Sequence, residues 1–342
     1  MGRLNGYEKI FWRIAEEIEI LDSATFRHPE LGTLQPPRDL DVDPERPVLA
    51  YLHRVLYLTY YAGDHFAAEL FLRGGRRAAS LQGHEDFDLV NRIRAAGVGQ
   101  GHLRHGWVVQ EKRDDDYLVT KDRLTLRVSR EELFADGPPA EGRTVALRLP
   151  PDRPYLLLGW YTIFGDHGVL DGEDGGLVRL YLTLADAEAA PELVGSTTRA
   201  LNALKVPFQL KVVNHPEAFK RRDAFVIYIS AGAWERHRAV LEAIHRSRAD
   251  RFRDDHPCFA LRLAPGFSFA QEPEVKGRRT SFGLHRCQLV AEGLVRAHEE
   301  GADSPRERFL AIESRYREEG LDIRHPYLNA PAGWTSSGLA GA

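Results

Sequence analysis

Cysteine is almost missing from this 342-residue chain: Cys258 and Cys287 are the only two. Thiols 29 positions apart form neither a disulfide framework nor a CxxC zinc pair, so they read as separate small core residues in a reducing compartment. Long apolar runs are lacking as well. None approaches the ~18 residues a membrane helix needs, and acidic residues interrupt the apolar pattern of the N-terminal MGRLNGYEKIFWRIAEEIEILDS, unlike a signal peptide. A soluble cytoplasmic protein with no membrane partner is expected. Positive charge is not in excess, the net charge being -4, and no interleaved basic and aromatic platform occurs, so nucleic acid is not an expected partner.

The usual signatures of nucleotide and metal chemistry are absent too. There is no GxxxxGK[ST] and no GxGxxG; Gly97 to Gly101 has the wrong spacing and no strand before it. HExxH and clustered His, Cys and Asp ligands do not occur, so neither a metal nor another cofactor is expected. Gly266-Phe267-Ser268-Phe269-Ala270 only approximates a nucleophile elbow, and Ala190-Pro191-Glu192 is a kinase tripeptide without the glycine loop, HRD or DFG. In GDHGVLDGEDGG, residues 165–176, the acidic side chains would repel a phosphate and EF-hand spacing is lacking, which leaves a long hairpin turn.

What the chain does have is a change of period. Apolar residues recur at helical spacing over 6–21, 48–62, 65–72 and 86–96, with Ile10, Phe11, Ile14 and Ile18 marking the first face. From 107 onward the period falls to two, giving strands over 107–112, 117–121, 124–129 and 144–149, then longer apolar strands over 155–164 and 177–184. Helices are expected over 189–204, 233–246 and 281–298, and a capping box, Ser304-Pro305-Arg306-Glu307, starts another over 305–318. A short strand falls at 259–263. The fold class is α+β: an N-terminal helical region followed by a mixed, largely antiparallel sheet with packed helices. The expected division is a helical region over 1–105, an α+β domain over 106–325 and a loose Gly/Ser/Pro/Ala-rich tail over 326–342.

The stretch Lys205 to Ser230, KVPFQLKVVNHPEAFKRRDAFVIYIS, sets two apolar runs either side of a basic connection. From 205 to 222 five cations face one anion, Glu217, a local +4 in an acidic chain, and a field focused in this way suits an anionic ligand. Arg179, Lys211, Arg222 and Arg262 lie on or beside apolar strands, and a second basic cluster, Lys276, Arg278, Arg279 and Arg286, surrounds SFGLHR. Each alone suits the solvent side of a half-buried sheet. Together they are equally suited to converge on a phosphate or carboxylate, which guanidinium forks bind in bidentate fashion.

The combination of VRLYLTL, FQLKVVNHP followed by RRDAFVIYI, and FALRLAPGFSFAQEP followed by SFGLHRCQLVAEGL resembles the C-terminal part of the Hop-A-type bacterial type III effector family. The resemblance spans roughly residues 50–320 and is strongest from Tyr155 to Leu294. It is nearer still to the members that act in class V lanthipeptide and thioamitide biosynthesis. It implies a carbon-oxygen lyase that works beside an aminoglycoside-phosphotransferase-like kinase, as a heterodimer. The kinase phosphorylates Ser or Thr of a precursor peptide, and the lyase removes the phosphate to leave dehydroalanine or dehydrobutyrine.

That chemistry needs a base for the Cα proton, a clamp for the phosphate and a proton for the leaving group. Lys211 is the candidate base and Lys205 the second; Arg179, Arg222 and Arg286, with Lys205, suit the phosphate; His215 or His285 would supply the proton. Asp223 and Arg262 are supporting candidates. The competing expectation is a non-catalytic partner that binds the peptide or docks on the kinase. A host-directed effector is a third.

Overall fold

The computed structural model describes residues 5–36, 46–64, 85–168, 170, 174–273, 280–302 and 304–329. The helix expected over 65–72, the cations Lys276, Arg278 and Arg279, and the tail from 330 lie outside the described residues.

The chain is α+β. Seven α-helices lie among the described residues: α1 (Gly6–Glu17), α2 (Pro47–Leu56), α3 (Phe87–Ala96), α4 (Ala189–Ala203), α5 (Ala231–Arg246), α6 (Phe282–Glu299) and α7 (Pro305–Glu318). The capping box at Ser304 and Glu307 forms as its spacing requires, each side chain satisfying the other residue's backbone N–H. The first helix stops at Glu17, short of 21, because Ile18 turns to extended backbone. The chain then builds a small antiparallel sheet, β1 (Glu19–Ile20), β2 (Phe26–His28) and β3 (Gly32–Leu34), within a region whose pattern read as wholly helical.

Residues 102–149 form a second sheet with a core of its own. Its strands are β4 (His102–Arg113), β5 (Asp116–Lys121), β6 (Leu124–Ser129), β7 (Leu133–Phe134) and β8 (Thr144–Leu149), in the order β6-β5-β4-β8-β7. The two-residue alternation puts Trp107, Val109, Tyr117, Val119, Val145 and Leu147 on one buried face. By contrast, the N-terminal helices share one continuous core with everything after 152. The packing therefore does not divide at 105: the N-terminal helices belong with the large sheet, and the meander at 102–149 is the separate unit.

That large sheet has seven antiparallel strands, β9 (Asp152–Leu157), β10 (Trp160–Phe164), β11 (Leu177–Leu182), β12 (Gln209–Val213), β13 (Phe225–Ser230), β14 (Leu261–Ala264) and β15 (Phe267–Gln271), ordered β14-β15-β11-β13-β12-β10-β9. The single strand expected over 155–164 is instead a hairpin, because Gly159 takes the left-handed conformation (φ 79°) that lets the chain reverse. Phe267 and Phe269 on one face meet Trp234 of α5. Tyr181 on the opposite face meets Tyr61, whose ring packs against Phe282 at the start of α6. Both faces are covered, which is why β13 is apolar at nearly every position. Helices α6 and α7 approach at Gly293, where a Cβ would fall 2.6 Å from Ile312 Cα, so only glycine allows this closeness.

Candidate functional site

Antiparallel register decides which side chains share the polar face. One cross-strand row runs Phe164, Gln209, Tyr228, Arg179, Ala270, and the next runs Thr162, Lys211, Val226, Tyr181, Ser268. Directly opposed residues point to the same side of a sheet, so Lys211, Tyr228 and Arg179 share one surface.

They also meet on it. The Arg179 guanidinium lies 4.8 Å from the Tyr228 ring centroid and Lys211 Nζ lies 5.2 Å from it, so one ring serves two cations. Arg179 is buried and paired side-on with Glu272, through Nε to Oε2 and through Nη2 to Oε1 at 2.5 Å. Burial opposes its charge, but Tyr228 and Glu272 hold the guanidinium protonated. Its Nη1 and the Lys211 ammonium have no hydrogen-bonding partner among the described residues.

Lys211 is half-buried. Burial and then the Arg179 charge push its pKa below the ordinary lysine range, while Glu272 pulls the other way. Tyr228 is buried and pushed up to about 12, by desolvation foremost. Its phenol oxygen likewise makes no hydrogen bond to a described residue.

A second group closes one side. Arg221 forks onto Asp223, with Nε to Oδ1 at 2.6 Å and Nη2 to Oδ2 at 3.1 Å, and donates to the Tyr57 hydroxyl at 2.9 Å. Its guanidinium lies 5.0 Å from the Trp160 ring centroid. Tyr57 in turn donates to Asp223 at 3.0 Å. Burial works against the Arg221 charge, and the Asp223 carboxylate outweighs it.

Tyr57 reaches the site through a π-helical turn, Tyr57–Tyr61, that continues α2. Wider turns of this kind recur at functional sites because they re-aim side chains within a helix. Here the turn stacks Tyr57 on Tyr61 at 5.2 Å and points the Tyr61 hydroxyl at Tyr181, 2.8 Å away.

The residues nominated from sequence separate into two sets. Arg179, Lys211 and Asp223 come together on this face. Arg222 does not join them: its side chain bonds Asp255 at 2.9 Å and the Tyr60 carbonyl at 2.6 Å, lining a cavity of about 270 Å³ with Arg13, Glu17 and Cys258. Adjacent residues project in opposite directions, and Arg221 is the one that faces the site.

Arg286 is fully buried and clasps the C-terminal segment, donating to the carbonyls of Pro326 at 2.7 Å and Leu328 at 2.8 Å. That leaves no fork for a phosphate. His285 sits against Arg286 at 2.6 Å, and burial followed by the Arg286 charge pushes it down to about 4, so the imidazole is neutral near pH 7. Neutral His285 is unsuited to the donor role the sequence offered it.

His215 caps the short 3-10 turn Pro216–Lys220 by accepting from the Glu217 N–H at 3.3 Å. Lys205 is exposed in the reversal after α4, in left-handed backbone (φ 57°). Arg262 pairs with Asp254 at 2.7 Å on the edge strand. None of these three hydrogen-bonds or pairs with the Lys211 group. Sequence reading missed Tyr228, Glu272, Arg221, Trp160 and Tyr57. The tyrosine-rich YLTYY run was the available signal, since buried phenols need partners.

No group of three or more His, Cys, Asp and Glu that could hold a metal occurs among the described residues. Nor, among them, is any helix long and apolar enough to cross a membrane.

Fold and site define an α+β protein with a cationic and aromatic patch on one sheet face. The sequence pattern of the HopA1 effector protein family matches residues 152–328, just over half of the chain and all seven strands of this sheet. The chain belongs to that family. Two solved structures are similar to it. The effector protein from Pseudomonas syringae pv. tomato strain DC3000 is 14% identical, with 83% of this chain and 99% of that one covered and a TM-score of 0.41. The effector protein from Pseudomonas syringae pv. syringae strain 61 is 16% identical, with coverage of 83% and 97% and a TM-score of 0.45. No curated protein matches the chain.

Proposed function

We propose that this protein eliminates phosphate from phosphorylated Ser or Thr of a peptide, leaving dehydroalanine or dehydrobutyrine. The observation that carries the reading is Lys211, a half-buried amine with lowered basicity and no carboxylate partner among the described residues, beside Arg179. A lysine salt-bridged in water would stay protonated; this one has a neutral fraction available to take the weakly acidic Cα proton. Taking that proton turns Lys211 into an ammonium next to the departing phosphate, so the charge that forms on the base stabilises the charge that leaves. Arg179 offers Nη1, and Arg221 with Trp160 borders the same face. A kinase acting on the same precursor peptide would supply the phosphorylated substrate.

The test is direct. The purified protein, given a synthetic phosphoserine or phosphothreonine peptide without ATP, should yield a product lighter by phosphoric acid in mass spectrometry, and Lys211→Ala should not. If wild-type protein leaves the mass unchanged, the reading fails for the protein acting alone. If Lys211→Ala leaves peptide dehydration by the reconstituted kinase pair unchanged, the chain serves that pair as a peptide-binding or docking partner.

A further inference from the structure

We infer that Tyr228 is the acid that protonates the leaving phosphate, an assignment that rests on the elimination reading above. Expelling a phosphate dianion without a proton would release the trianion, so the step needs a donor within reach of the ester oxygen. Both histidines offered by the sequence are engaged elsewhere. The Tyr228 phenol lies between Arg179 of β11 and Lys211 of β12, on the surface those cations define, and its oxygen is uncommitted among the described residues. Two cations against its ring favour transient phenolate when the proton leaves. The other charged groups acting on it are Glu272, following β15, and Asp223, preceding β13; desolvation together with these two carboxylates keeps the phenol protonated at rest.

The step balances. Lys211 Nζ takes the Cα proton, and that C–H electron pair becomes the Cα=Cβ double bond. The Cβ–O pair leaves with the phosphate oxygen, which takes the phenol proton to give hydrogen phosphate. Lys211 ammonium then returns a proton to Tyr228 phenolate, restoring both groups.

Two peptides of one sequence test the assignment on the full-length protein, one carrying phosphoserine and the other S-(2,4-dinitrophenyl)cysteine at the same position. The aryl thiolate leaves without a proton. Tyr228→Phe keeps the ring beneath both cations, and it should slow phosphate loss on the order of 100-fold or more while slowing thiolate loss far less. Lys211→Ala should slow both. Replacing Tyr228 with 3-fluorotyrosine, a stronger acid of nearly equal size, should move the alkaline limb of the pH–rate profile to lower pH. Equal slowing of the two substrates by Tyr228→Phe, undiminished phosphate loss in that variant, or an unmoved alkaline limb would each overturn the assignment while elimination itself stands. A wild-type protein inert toward the phosphopeptide removes both the assignment and the reading beneath it.

Discussion

Lys211 and Arg179 stand two strands apart yet meet on one ring, Tyr228, at 5.2 and 4.8 Å. Their charges repel across this short span, and only Arg179 is neutralised by a carboxylate, Glu272. The arrangement weakens the proton affinity of Lys211 and leaves a single unmatched positive charge for an anion to meet.

The first prediction concerns pH. A base is active when unprotonated and an acid when protonated, so the elimination rate should rise with pH through the Lys211 pKa and fall again where Tyr228 loses its proton. Because burial and Arg179 lower that pKa, the midpoint should fall below the range of an ordinary lysine. Lys211→Ala should lower kcat by about 10²–10⁴, and the rise with pH should vanish with it. A pH–rate profile of the phosphopeptide reaction measures both.

Glu272→Gln makes the second. The carboxylate occupies Arg179 and raises the Lys211 pKa, so its removal should free the guanidinium for phosphate and move the ascending limb of the profile to lower pH. Inorganic phosphate, used as a competitive inhibitor, should bind this variant more tightly than it binds the wild type. Weaker binding would show that Glu272 instead holds Arg179 in place.

Two neighbouring arginines should behave oppositely. Arg221→Ala removes the fork on Asp223 and the cation over Trp160, so activity should fall and Asp223, 5% exposed, is left as a buried carboxylate. Arg222→Ala should spare the elimination rate and show its effect in thermal stability, because its contacts are Asp255 and the Tyr60 carbonyl. Melting curves alongside steady-state rates separate the two.

Arg286→Met should destabilise the fold without acting on chemistry directly. It leaves the carbonyls of Pro326 and Leu328 without their donor, at about 1–3 kcal/mol for each group left unpaired in the interior. The adjacent His285 adds a pH dependence. Its folded pKa of about 4 lies below the ordinary 6.5, so the unfolded chain binds the proton first and stability falls as pH drops from about 6.5 toward 4. Urea unfolding of wild type and His285→Gln at pH 7 and pH 5 should show a smaller loss in the variant.

Part of this was legible beforehand. FQLKVV and VRLYLTL place a cation inside an apolar strand, and a charge there needs either a partner or an open face; both Lys211 and Arg179 proved to sit on the polar face. The choice between Arg221 and Arg222 was not legible. It depends on how the chain leaves the turn before β13, and one residue of difference reverses the side. Tyr228 was hidden for another reason: helices cover both faces of the sheet, so β13 reads as uniformly apolar and alternation gives no sign of which residue faces the cations. Arg286 misled because a basic cluster in sequence is not a cluster in space; helix α6 turns it inward to the C-terminal segment.

By itself the sequence determined the local terms: where helices start, which segments alternate, the α+β class and the presence of cations in apolar strands. Those follow from side-chain periodicity, capping chemistry and the cost of burying charge, all set within a few residues of each position. Only the tertiary structure decided that the N-terminal helices share the core of the large sheet and that a π-helical turn at 57–61 delivers Tyr57 to Asp223. It alone decided, too, that Lys211 and Arg179 meet at Tyr228. Strand order and register bring together residues tens to hundreds of positions apart, and no local pattern carries that information.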